Sequence, residues 1–260
     1  MTDFNQTLLL LTTDTGMIVL GLAALLGGLV RGFTRFGFAM IFMPIAGLVV
    51  PLPVASALIW AIDAPFALPL AVRSVRKAQW REIVPLLIGA ALLLPVGVWL
   101  LTTLPQLTMR WLIAAVILAA VSAMATGWRW KGRPGIPLSL GVGGLSGLGS
   151  GLAQLGGMPL AIFWLSAQQK TAEQMRHDLA SYFACATILS ALVLSWNGIL
   201  TLSAITLALP LLVPYGLGIL VGSRCYHLAS EQTFRRIAYG VIMLAALISL
   251  PLWDGALKRG

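Results

Sequence analysis

The sequence predicts an all-α integral membrane protein built from two inverted repeats. It should have about eight transmembrane segments, with the first of each half broken or re-entrant. Three observations lead there. Of the 260 residues, 59% are hydrophobic and only 10% charged, whereas an ordinary soluble domain carries about a quarter charged residues. The stretches 36–62, 83–109, 111–128, 134–169, 179–223 and 237–253 contain no Asp, Glu, Lys or Arg. A helix crosses a bilayer with about 20 apolar residues, so the longest stretches hold two segments each. Finally, the glycine-rich run Gly28-Leu-Val-Arg31-Gly32-Phe-Thr-Arg35-Phe-Gly37 has a counterpart 119 residues later, Gly147-Leu-Gly-Ser150-Gly151-Leu-Ala-Gln154-Leu-Gly156-Gly157. Short alternating strands separated by turns are absent, which argues against a transmembrane barrel.

Taken in order, residues 1–15 are a short polar lead. Residues 16–30 read as a half-length apolar helix ending at the first glycine run, and 36–50 as a second one, closed by Pro51 and Pro53. Each would be about 22 Å long, short of a hydrocarbon core of about 30 Å. Glycine costs a helix about 1 kcal/mol relative to alanine, so the run should interrupt it. In lipid, such a break is tolerated only where the freed amides and carbonyls face protein or a wet cavity. Residues 54–72 form a full span carrying one acid, Asp63, followed by the basic loop 73–82. Spans at 83–101 and 111–126 and the loop 128–134 complete a first repeat, 1–133.

The second repeat, 134–260, follows the same plan within one membrane domain. A half-helix at 136–146 leads to the second break and to 158–167. A mixed-charge loop, 168–178, precedes spans at 179–196 and 199–221, which are joined by the turn Asn197-Gly198. A basic loop, 223–236, leads to the last span, 237–253. Pro214 and Gly216 match Pro95 and Gly97 at the same shift of 119, and the register slips later. Trp80, Trp111, Trp128, Trp130, Trp196 and Trp253 fall near segment ends, where indoles favour the interface.

The net charge of +9 does not imply nucleic acid, because the basic residues sit in short connections rather than on one face. They obey the positive-inside rule instead. If each broken segment enters and returns on one side, the loops 73–82, 128–134, 168–178 and 223–236 share a side and hold twelve of the 17 basic residues. If each break crosses, the split falls to nine inside against six outside. The rule favours re-entrant pairs, and both versions orient the halves oppositely. Cys185 and Cys225 have no metal or redox spacing. No basic residue precedes Arg31, so no signal peptide is expected. No metal site, cofactor or nucleophile–base pair is expected, and His177, Asp178 and His227 read as polar loop residues.

The two breaks are the candidate binding site. Matched interruptions in two halves of a membrane chain point to a transporter's central site. Arg31 and Arg35 lie four residues apart, and cations at membrane depth mark ion or substrate pathways. The arginine fork matches oxyanions. Helices starting near residues 36 and 157 would aim N-terminal amides at the centre. Ser150 and Gln154 stand opposite the arginines in the repeat and offer neutral hydrogen bonds. Gly28, Gly32, Gly37, Gly147, Gly151, Gly156 and Gly157 would let backbone approach a ligand. For Gly28-xxx-Gly32 and Gly147-xxx-Gly151 the competing reading is close helix–helix packing; for Arg31 and Arg35 it is snorkelling to lipid phosphate. Asp63 could pair with an arginine or carry a coupling proton. The implied partners are a small anion and the lipid bilayer, and long apolar faces leave room for a homodimer.

At these residues the chain resembles the TauE/SafE family of sulfite and organosulfonate exporters. The resemblance spans about residues 16–250. It rests on Gly28-xxx-Gly32-xxxx-Gly37 leading to Pro44, on Gly147-xxx-Gly151-xxxx-Gly156-Gly157-Met-Pro159, and on the duplicated plan. Ser150 and Met158 interrupt the family's second motif, and Gln154 stands where a glycine is frequent. The resemblance implies a bacterial inner-membrane permease for small sulfur-containing anions, driven by an ion gradient. The leading expectation is a secondary transporter working by alternating access. An anion channel and an intramembrane lipid-modifying enzyme are the alternatives, the enzyme lacking any polar constellation beyond Asp63 and the two arginines.

Overall fold

Apolar runs of this length can satisfy their backbone groups only within themselves, and the chain folds accordingly. A computed structural model, which describes residues 14–34, 37–125, 135–166, 171–225 and 231–250, contains helices and no strands among those residues. In order they are α1 (Asp14–Thr34), α2 (Phe38–Ala46), α3 (Leu52–Ser74), α4 (Trp80–Thr103), α5 (Gln106–Ala125), α6 (Ile136–Ala153), α7 (Gly157–Ser166), α8 (Ala172–Trp196), α9 (Leu202–Cys225) and α10 (Glu231–Ile248). Seven of them, α1, α3, α4, α5, α6, α8 and α9, are long and apolar enough to cross a membrane.

The glycine runs do not stop their helices where expected. α1 continues through Gly28 and Gly32 for 21 residues, about 31 Å. α6 continues through Gly147 and Gly151 for 18 residues, about 27 Å. Among the described residues the chain leaves helix only afterwards, at Gly37 and at 154–156. Close packing offsets the helical cost of the glycines. A Cβ added to Gly28 would meet the Tyr215 carbonyl and the Gly218 Cα, and one on Gly151 would meet the Leu94 carbonyl and the Gly97 Cα. Backbones in contact gain dispersion energy that no larger residue allows.

These contacts also give direction. Gly28 faces Tyr215 and Gly32 faces Ile219, so α1 runs parallel to α9. Gly143, Gly147 and Gly151 face Leu86, Ala90 and Leu94 in turn, so α6 runs parallel to α4. Side-chain ties define the two ends of the bundle. At one end the α3–α4 turn meets the start of α8. There the Gln79 N–H donates to Asp178 Oδ1 (2.8 Å), and Gln174 Nε2 donates to the Lys77 carbonyl (3.0 Å). At the other end Gln106 Nε2 donates to the Gly47 carbonyl (3.2 Å), and Arg110 donates from Nε and Nη2 to the Ser249 carbonyl (3.1 and 2.8 Å).

The expected loop 168–178 is largely helix. Thr171 caps α8 by accepting from the Gln174 N–H (3.2 Å), so His177 and Asp178 belong to its first turns rather than to a loop. Asp178 is fully buried. Charged residues at the start of a span are compatible with helix once an N-cap is present, which hydropathy alone does not register. The start of the expected loop 223–236 likewise belongs to α9, and its end to α10. His227 lies outside the described residues. α2 is short but central, with eight of its nine residues buried.

Candidate functional site

The two interruptions meet. A cavity of about 90 Å³ is lined from one half by Arg31, by Gly37–Met40 and by Asp63, and from the other by Ser150 and Gln154–Met158. One water needs about 10–15 Å³ by the same measure, so the space suits a small polyatomic ion. The middle of α3 supplies Ile59, Trp60, Asp63 and Ala64; α8 supplies Phe183, Ala186, Thr187 and Ser190. Both sets follow helical spacing, one face of each helix.

Each short helix begins at this cavity. Gly37 caps α2 with φ 97°, a left-handed turn open to glycine. The first amides of a helix have no intrahelical acceptor, and those of α2 and α7 lie at the cavity wall, adding the positive end of two dipoles. α6 ends in a Schellman-type turn. Gln154 takes φ 58°, its N–H donates to the Ser150 carbonyl (2.9 Å), and the Leu155 N–H donates to the Gly149 carbonyl (2.9 Å). Ser146 Oγ fastens the turn by donating to the Gly156 carbonyl (2.7 Å), and it accepts from the Tyr182 hydroxyl (3.0 Å). Gln154 Nε2 donates to Ser56 Oγ at 3.3 Å.

Arg31 and Asp63 are the charged pair of the described lining. Arg31 Nε lies 2.7 Å from Asp63 Oδ1, with the side chains 17% and 21% exposed. The Tyr215 hydroxyl donates to the same carboxylate oxygen. Arg31's formal charge is therefore matched by Asp63, and the N-terminal ends of α2 and α7 add partial positive charge. A guanidinium bound through Nε keeps four N–H donors on its terminal nitrogens.

Of the residues singled out from sequence, Arg31, Gly37, Asp63, Ser150, Gln154, Gly156 and Gly157 line this one cavity. Gly28, Gly32, Gly147 and Gly151 do not; they face α9 and α4. Arg35 lies outside the described residues. Sequence reasoning passed over Trp60, Thr187, Ser190 and Tyr215. The helical spacing of Phe183, Ala186, Thr187 and Ser190 was a usable signal; Tyr215 gave none. Trp60 Nε1 donates to the Thr187 carbonyl (2.9 Å), which ties α3 to α8 behind the cavity. Among the described residues no three His, Cys, Asp or Glu side chains gather as a metal site would require.

The family model described as sulfite exporter TauE/SafE matches residues 20–248. Comparison with curated proteins and with solved structures returns no match.

Proposed function

We propose, from the premise that this chain belongs to the TauE/SafE sulfite exporter family, that its paired helix interruptions form the binding site of a secondary transporter for small oxyanions such as sulfite or sulfonates. Membership, together with seven membrane-competent helices, makes this a multi-pass membrane protein of a transporter family. The observation that carries the reading is the convergence of the α2 and α7 N-termini on one cavity that also holds Arg31. Amide-rich helix starts and a guanidinium are the two commonest protein partners of an oxyanion. Ser150, Gln154 and Thr187 add neutral hydrogen-bonding groups on the facing wall.

The same geometry supports an inverted repeat with halves 1–133 and 134–260. Gly97 faces the Leu148 carbonyl and Gly222 faces the Leu29 carbonyl. Leu29 and Leu148 are 119 apart, whereas Gly97 and Gly222 are 125 apart. The slip therefore falls before α9, and Gly97 corresponds to Gly222 rather than to Gly216. In the first half the chain starts α1 at the Gly47 end and is back there after α2. In the second it starts α6 at the Asp178 end and is back there for α8. We read this as two re-entrant pairs entering from opposite faces. Exposed Arg76, Lys77 and Arg81 lie at the Asp178 end, which the positive-inside rule assigns to the cytoplasm of a bacterial inner membrane. Alternating access then rocks one half against the other around the cavity, and Asp63 couples the movement to a cation gradient by binding or releasing Arg31.

Radiolabelled sulfite counterflow in proteoliposomes tests this. Saturable flux, stimulated by sulfite on the far side, is expected. Arg31→Gln should lower it by at least about tenfold, the scale of a lost charge-assisted contact. Flux that rises linearly with concentration marks a channel, and flux undiminished by Arg31→Gln removes Arg31 from the site.

A further inference from the structure

We infer that Tyr215 sets the affinity of this site for anions by sharing with Arg31 the Asp63 carboxylate oxygen and so competing for its charge. The inference rests on the anion-site reading above. Tyr215 belongs to α9, far in sequence from both glycine runs. Its ring is fully buried, tilted 46° against Phe38 with centroids 4.4 Å apart and edge-on 5.2 Å from Phe66. Its backbone carbonyl sits against Gly28. The side chain is thus fixed by packing on α1, α2 and α3, and its hydroxyl donates to Asp63 Oδ1, the oxygen that also receives Arg31 Nε.

Tyr215 does not line the cavity, so it acts through Asp63 as a positioning residue. Any incoming anion competes with the Asp63 carboxylate for Arg31. The hydroxyl hydrogen places partial positive charge at the oxygen that holds Arg31 and so offsets part of its pull on the guanidinium; the hydroxyl thereby weakens the competitor. It also joins α9 of the second half to α1 and α3 of the first. A relative movement of the halves would therefore alter how tightly Asp63 holds Arg31.

Anion binding to the purified protein in lipid nanodiscs separates the outcomes, with sulfite and ethanesulfonate titrated calorimetrically. Ethanesulfonate is included because its own protonation plays no part near neutral pH. Tyr215→Phe keeps the stacked ring and removes only the hydroxyl; it should weaken binding about tenfold, the scale of a hydrogen bond to a charged group. Asp63→Asn should tighten binding, and Asp63→Asn with Tyr215→Phe should bind within about twofold of Asp63→Asn alone, because the hydroxyl acts only through the carboxylate. Phe66→Leu loosens one edge contact of the ring but keeps the hydroxyl and the Phe38 contact, and should weaken binding less than Tyr215→Phe does. Equal weakening by Tyr215→Phe in both backgrounds, unchanged affinity in Tyr215→Phe, or weakening by Phe66→Leu as large as by Tyr215→Phe overturns the role of the hydroxyl and leaves the anion site standing. Should Tyr215→Phe not fold, weaker binding by Asp63→Asn alone overturns it. A wild-type protein that binds neither probe overturns the anion site and this inference with it.

Discussion

Gln154 holds a left-handed conformation at φ 58°, where a side chain costs about 1 kcal/mol more than glycine. Its amide lines the cavity and reaches Ser56 Oγ. The turn geometry gives a physical reason why glycine would suit this position, which the sequence marked only as a departure from a motif. Gln154→Gly is therefore expected to raise the thermal midpoint by a few degrees, on the order of 1 kcal/mol, and to lower sulfite flux. A lower midpoint in a melting scan would show that the Ser56 contact outweighs the strain. Arg31 and Asp63 were legible because charges inside apolar stretches are conspicuous. Their pairing with Tyr215 was not, since the hydroxyl and the carboxylate are 152 positions apart and no local pattern encodes the meeting. Asp178 was undervalued for the same reason. Its carboxylate accepts from the Gln79 N–H and from Gln174 Nε2 (2.8 and 3.0 Å). Asp178→Ala should cost about 1.5–3 kcal/mol, read as a lower midpoint in the same scan.

At the scale of elements, one motif serves two purposes. The glycines within α1 and α6 set the distance to α9 and α4, while Gly37, Gly156 and Gly157 lie at the cavity. Sequence spacing could not divide them, because a small residue facing a helix and one facing a ligand look alike until the helix axis is known. Gly151→Ala should overpack the contact with Leu94 and Gly97 at a cost of about 1–3 kcal/mol, while the protein that survives keeps its anion affinity. A changed affinity at unchanged stability would return Gly151 to the binding site. The half-length helices expected before each break became full-length ones for this reason: packing offset the propensity that should have ended them. Seven spans were legible from hydropathy, but α10, where the last span 237–253 was expected, is not among the described helices long and apolar enough to cross. Span ends were not legible, because caps such as Thr171 and ties such as Arg110 to Ser249 are local chemistry beyond the apolar window.

For the molecule as a whole, the duplicated plan is proposed from a shift of 119 residues, and the contacts of Gly97 and Gly222 suggest a later register of 125. Orientation follows from the basic loops. In intact cells a membrane-impermeant maleimide should label Leu48→Cys but should reach Lys77→Cys only after permeabilisation; external labelling of Lys77→Cys would reverse the orientation. The central claim is that both interruptions build one anion site. It is tested most directly by alkylating single cysteines at Ala39 and Ser150, one from each half, with Cys185 and Cys225 replaced by serine and ethanesulfonate added as protectant. Protection of both positions with the same half-maximal concentration is expected. Protection of one alone, or of neither, would contradict a shared site.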